Sequence, residues 1–285
     1  MKQISFSSSG TRADIGAITI FRILPNRYAQ AVGPFVFLDH IALVKHEKPM
    51  IEGTGAHPHR GIATLTYLLE GIGEHWDSLG NHAIVRAGGV QWMKAGNGII
   101  HDETLNFDVE NGNYLTHGFQ FWINLPSNVK MEDPEYKSIQ GGDVPKLMLP
   151  ENKGWLKIIA GEFEGIRSLI PSFSEQFLYH LHLLPNQSFS INFEEDLEIG
   201  AFLPLTNLTM NTIEFQQGEF VEFDRKEGEV IFHNNSNEPA DVIIFGGESY
   251  DEPIFAEGPF VMNSPKDIAT AYREFFGGKY GTIIK

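Results

Sequence analysis

The chain has 285 residues, 42% of them hydrophobic and 22 of them Phe, which is apolar material for one large core or two of ordinary size. Acidic residues number 37 against 21 basic ones, and the resulting net charge of −16 disfavours direct binding to nucleic acid or to anionic lipid. The lack of Cys excludes disulfide frameworks, thiolate nucleophiles and cysteine-ligated metal, and is compatible with a reducing cytoplasm.

Residues 1–25 contain no uninterrupted apolar core, and no window approaches a membrane span, so a soluble, unexported, cytoplasmic protein without a membrane partner is expected. Gly and Pro then punctuate short runs rich in Val, Ile, Phe, Thr and Tyr, a pattern of many short strands. Residues 63–69 are the clearest run. Ala63, Leu65, Tyr67 and Leu69 share the parity of His57 and His59, which predicts an apolar inward face with the histidines at its mouth. Further strands are expected at 83–86, 90–94, 119–124, 156–160, 178–183, 197–202, 229–232 and 240–245. Residues 126–154 carry Pro126, Pro134, Pro145, Pro150 and Gly141-Gly142, a composition that cannot sustain a central strand. The reading is all-β: two tandem barrels with a short C-terminal helix. An N-terminal metal-binding barrel is expected over 1–134, a linker over 135–150, and a C-terminal barrel without a metal site over 151–285. The helix is announced by Ser264 as N-cap and Pro265 at the first position, with Ile268, Tyr272, Phe275 and Phe276 on one stripe before Gly277-Gly278.

Two i, i+2 pairs carry the chemistry. His57-Pro58-His59 and His101-Asp102-Glu103 each aim both pair members at one side of a strand, so the two pairs can close on one ion. Three imidazoles and one carboxylate suit a divalent first-row metal and leave coordination positions open. A plainer explanation has His57 and His101 capping turns and Glu103 facing solvent. His180-Leu181-His182 has no matching acid or His after it and is read as structural, as is the isolated His233. His40, His75, His82 and His117 are read first as ordinary histidines, with a supporting role near the site as the alternative, and Arg60 as an ion-pair partner that orients the loop. The acidic runs at 194–196 and 248–252 are solvated loops. No nucleophile elbow, phosphate loop or dinucleotide fingerprint is present.

The motifs His57-Pro58-His59-Arg60-Gly61, His75-Trp76-Asp77-Ser78-Leu79-Gly80-Asn81, Gln91-Trp92-Met93 and Ala95-Gly96-Asn97-Gly98-Ile99-Ile100-His101-Asp102-Glu103 resemble the pirin family of the cupin superfamily. So do the stretches at 33–40, 121–126 and 258–263, and the similarity spans nearly the whole chain. The resemblance implies two cupin barrels, with one metal in the N-terminal barrel held by His57, His59, His101 and Glu103. The implied metal is most often Fe(II), with Mn, Co, Ni, Cu or Zn as alternatives. The chain departs from the general cupin pattern at Ala63, where a Glu often follows the His pair, and at Ala87, where a Pro is common.

The function expected from the resemblance is a quercetin 2,3-dioxygenase-type oxidoreductase that cleaves a flavonol or related enolic aromatic with O2, with Glu103 as ligand and base. Phe35, Phe37, Ile62, Trp92 and Met93 are candidates to hold the flat ring. The competing expectation is a non-catalytic metal or redox sensor that docks on a basic protein partner.

Overall fold

β-branched and aromatic residues in short alternating runs fold into strands throughout the computed structural model, which describes residues 1–16, 18–48 and 53–285. Every run expected to be a strand lies within one. The contacts divide the chain into two units, neither continuous in sequence. One comprises Met1–Thr11, Ile23–Phe35 and Val144–Tyr250, and the other Arg12–Arg22, Val36–Asp143 and Asp251–Lys285.

In the first unit a seven-stranded antiparallel sheet runs in the order Ile4–Ser9, Glu219–Phe223, Leu197–Phe202, Ala240–Glu248, Gln176–Leu183, Gly154–Ala160, Lys146–Met148. A second sheet holds Ser188–Phe193, Gly228–His233, Leu208–Met210 and Ile213–Phe215. The core is built by alternation: Leu156 and Ile158, Leu181 and Leu183, Ile199 and Ala201, Val221 and Phe223, Val230 and Phe232, and Val242 and Ile244 are buried in one cluster. Each pair is spaced by two, the period that sends a strand's side chains to one face.

The second unit carries the candidate site. Its larger sheet runs Glu135–Ile139, Val90–Lys94, Ile62–Glu70, Leu115–Asn124, Phe35–Lys45, Ile20–Leu24, Thr11–Arg12. Facing it are His57–His59, Ile99–Asn106, Ile72–Asp77 and His82–Arg86. Gln91 Nε2 donates to the Gly73 carbonyl at 3.1 Å across the two layers. The chain end completes this unit with the hairpin Phe255–Glu257 and Phe260–Met262 and the helix Pro265–Phe276.

Three expectations change. The unit boundaries differ from 1–134 and 151–285, because strand Ile4–Ser9 pairs with Glu219–Phe223 while residues 251–285 join the N-terminal barrel strands. Residues 135–150 are not a bare linker: Glu135–Ile139 pairs with Val90–Lys94, and Lys146–Met148 with Gly154–Ala160. Both are sheet edges, where flanking prolines cost no ladder bonds. The parity of His57 and His59 does not continue into the next strand either. Gly61, at φ 80°, breaks the strand, and Thr66, an even position, faces the candidate site while Ala63, Leu65 and Tyr67 lie on the other side.

The helix follows its sequence signals. Ser264 accepts from the Asp267 amide, and Ile268 and Ala271 are buried against Phe260 and Met262. Phe276 leaves the expected stripe and is 79% exposed. Among the described residues no helix is long and apolar enough to cross a membrane.

Candidate metal centre

Antiparallel pairing of His57–His59 with Ile99–Asn106 sets His101 opposite His57 and Ile99 opposite His59. His101 of the second i, i+2 pair thereby joins His57 and His59 of the first. Ring centroids lie 4.9 Å apart for His57 and His59, 4.4 Å for His57 and His101, and 4.9 Å for His59 and His101. The Nε2 atoms of His57 and His101 are 3.0 Å apart.

Backbone carbonyls tie off the far side of two rings. His57 Nδ1 donates to the Gly55 carbonyl at 2.8 Å, and His59 Nδ1 to the Pro259 carbonyl at 3.0 Å. A neutral imidazole has one N–H, so each of these rings turns a bare Nε2 lone pair toward the cluster. For His59, burial favours that neutral form. His59 is 2% exposed, and burial together with the neighbouring His57 lowers its pKa to about 3; burial and the surrounding imidazoles hold His101 well below the usual range.

Glu103 sits two residues on from His101 and is half-buried. Its Oε2 lies 3.9 Å from His101 Nδ1, a buried nitrogen with no hydrogen-bond partner, and its Oε1 accepts from Thr66 Oγ1 at 3.0 Å. The ligand atoms of His57, His59 and His101 lie within 4.8 Å of one another, and so do those of a second, overlapping group of His75, His101 and Glu103. These groups could hold a metal ion: clustered imidazoles, most of them buried, an orphaned buried nitrogen and a carboxylate form a donor set that suits a divalent cation better than it suits an empty core.

His75, read as ordinary from the sequence, is part of that setting. Strand pairing places it opposite Glu103; it stacks on Tyr136 at 4.1 Å between centroids, and its Nε2 is 3.2 Å from Asp77 Oδ2. His40 and His117 form a buried pair at 2.8 Å, with His40 lowered to about 3 by burial and by His117. His82 stays on the surface with Glu74. Arg60 does form an ion pair, with Glu274 of the C-terminal helix. His180 and His182 share Asp241 at 2.9 and 2.7 Å; this acid lies on a neighbouring strand, so spacing along the chain gave no sign of it.

A cavity of about 260 Å³ opens beside the histidines, lined among the described residues by Ile15, Ile18, Ile20, Phe37, Asp39, Ile41, Thr54, His57, His59, Glu103, Gln120 and Trp122. Phe37 and Trp122 stack at 4.2 Å with planes 11° apart, and Trp122 meets His59 edge-on. Asp39 is clamped by Arg22, whose guanidinium also covers the Phe37 ring at 4.0 Å. Of the five ring-holding candidates only Phe37 lines this cavity; Phe35, Ile62, Trp92 and Met93 are core residues. Trp122 and Gln120 were missed, although their i, i+2 spacing on one strand was a usable signal.

Comparison with known proteins agrees with this architecture. Residues 18–123 match the model of the pirin family, and residues 178–281 that of the pirin C-terminal cupin domain. A pirin-like protein of Caulobacter vibrioides is 32% identical over 94% of this chain and 91% of its own. Pirin-1 of Arabidopsis thaliana is 31% identical over 85% of this chain and 83% of its own. Among solved structures, a quercetin 2,3-dioxygenase from Acinetobacter baumannii superposes with a TM-score of 0.90 at 29% identity, covering 100% of both chains. The chain belongs to the pirin family and has its two-domain cupin fold.

Proposed function

We propose that this pirin is a metal-dependent dioxygenase of the quercetin 2,3-dioxygenase type, with His57, His59, His101 and Glu103 holding one divalent cation, Fe(II) first among the candidates. The observation that carries this reading is the convergence of three imidazoles, His59 and His101 buried and His57 partly so, with Nδ1 of His57 and of His59 tied to a backbone carbonyl, at the edge of an apolar cavity. The likeness to the Acinetobacter baumannii enzyme supports the choice of reaction.

When bound, the cation would supply Lewis acidity and a template for an enolic oxygen. The chain's own residues do the rest. His57 and His59 present preset lone pairs, which spares reorganisation on binding. The stacked Phe37 and Trp122 form a fixed aromatic part of the cavity wall, and Ile15, Ile18, Ile20 and Ile41 make the rest of it apolar. Glu103 Oε1 is committed to Thr66, which leaves Oε2 to hold the cation and, only once released from it, to accept the enolic proton.

The test is anaerobic loading with Fe(II), followed by O2 uptake and quercetin bleaching for wild type and His59→Ala. Turnover that needs both the metal and His59 supports the reading. Wild type without metal-dependent turnover defeats it.

A further inference from the structure

Gln120 lines the cavity, and its one side-chain hydrogen bond among the described residues is to Thr66, the side chain that also holds Glu103. We propose that Gln120 is a specificity-determining residue: it presents its amide oxygen to the cavity and thereby selects ligands that carry a hydroxyl donor beyond the chelating oxygen pair. The proposal rests on the flavonol reading above and names the kind of flavonol.

Thr66 is buried and stands opposite Gln120 on the adjacent strand. Its Oγ1 lies 3.0 Å from Glu103 Oε1 and 2.7 Å from Gln120 Oε1. A hydroxyl has a single proton, and both contacts cannot be filled by it. The carboxylate has no proton to give and makes the stronger, charge-assisted bond, so Thr66 donates to Glu103. The 2.7 Å contact then needs a donor from the other side. Only the amide nitrogen of Gln120 can supply it.

Amide oxygen and nitrogen fill the same envelope, so the network decides which is which. Exchanging the two ends of the amide places Nε2 rather than Oε1 against Thr66 and turns the amide oxygen toward the cavity. The neighbouring polar group on this wall, Asp39, is also an acceptor, held by Arg22. A carbonyl or ether placed here meets oxygen with oxygen, whereas a phenolic hydroxyl finds a partner.

Metal-loaded protein is titrated without oxygen, following the absorbance shift of two flavonols. One is 3-hydroxyflavone, which carries only the chelating hydroxyl and carbonyl; the other is quercetin, which has further hydroxyls. The expected result is that quercetin binds about three- to tenfold more tightly, the worth of one neutral hydrogen bond. Gln120→Met abolishes the preference, read as the ratio of the two affinities falling to about one. Thr66→Val reduces the preference although Gln120 is intact, because either end of the freed amide can then face the ligand. Circular dichroism and metal content confirm that each variant is folded and loaded.

Equal affinities in wild type, or a quercetin preference retained by both variants, overturn the proposal, as does failure of either flavonol to bind. Discrimination in binding without turnover in air would leave it standing and refute the dioxygenase reading instead.

Discussion

The Nδ1 proton of His59 is held by the carbonyl of Pro259, 3.0 Å away and 200 residues further along the chain. A candidate ligand of the N-terminal half is thus oriented by the C-terminal segment. Lys130 and Arg60 fasten that segment: Lys130 Nζ donates to the Val261 carbonyl at 2.7 Å and to Asn124 Oδ1 at 2.6 Å, and the Val261 amide donates to the Arg60 carbonyl. Lys130→Met strands two buried acceptors, which should cost roughly 1–3 kcal/mol of stability. Through the loosened Pro259 carbonyl it should also weaken metal binding by about ten- to a hundredfold. Denaturant midpoints and chelator competition check both effects.

The same segment passes within reach of Gly61, where φ is 80° and a Cβ would lie 2.0 Å from the Val261 carbonyl oxygen and 2.8 Å from Met262 Sδ. Gly61→Ala combines an unfavourable backbone conformation with a clash against main chain, so the segment must move. Metal affinity is expected to fall with stability, whereas Gly80→Ala, also at positive φ but with nothing near its Cβ, should lose stability alone. Parallel titrations of the two variants distinguish these outcomes.

Acid should destabilise the metal-free protein early. His40 and His59 have pKa values lowered from 6.5 to about 3, and His101 is lowered too, burial being the first cause in each case. Below pH 6.5 the unfolded chain takes up protons that these folded imidazoles refuse. Their neutral-form stability is therefore complete above pH 6.5 and lost as pH falls toward their folded values. Each group contributes up to about 1.4 kcal/mol per pH unit, so the three together give a slope near ~4 kcal/mol per unit. Urea midpoints at pH 8, 6 and 5 should fall steeply at the acid end; midpoints that stay flat to pH 5 contradict the burial argument.

Metal should stabilise the folded chain by mass action. At free metal about 100 times Kd the gain is about 2.7 kcal/mol, provided the unfolded chain binds none. Thermal scans with and without Fe(II) under anaerobic conditions should show an upward shift for wild type and little or none for His101→Ala, which removes the ring common to both donor groups.

Much of the site was legible in local spacing. His57 with His59, and His101 with Glu103, announced themselves because an i, i+2 pair on a strand has one geometric outcome, and the Ser264 cap and Pro265 marked the helix for similarly local reasons. Parity failed across Gly61, because one residue at positive φ resets which face later side chains occupy. Pro259 behind His59, His75 behind His101, and Asp241 between His180 and His182 were not legible, since each partnership is made by strands that meet only in the fold. The unit boundaries were hidden for the same reason. Which sheet claims the strand Ile4–Ser9, or residues 251–285, is decided by pairing and packing at a distance.

The central claim, that His57, His59, His101 and Glu103 share one cation, is tested most directly by anomalous diffraction at the iron edge from crystals loaded anaerobically with Fe(II). A single strong peak within bonding distance of all four side chains is expected. A peak held by His75, His101 and Glu103 without His57 and His59, or no peak in protein that is otherwise folded, would contradict it.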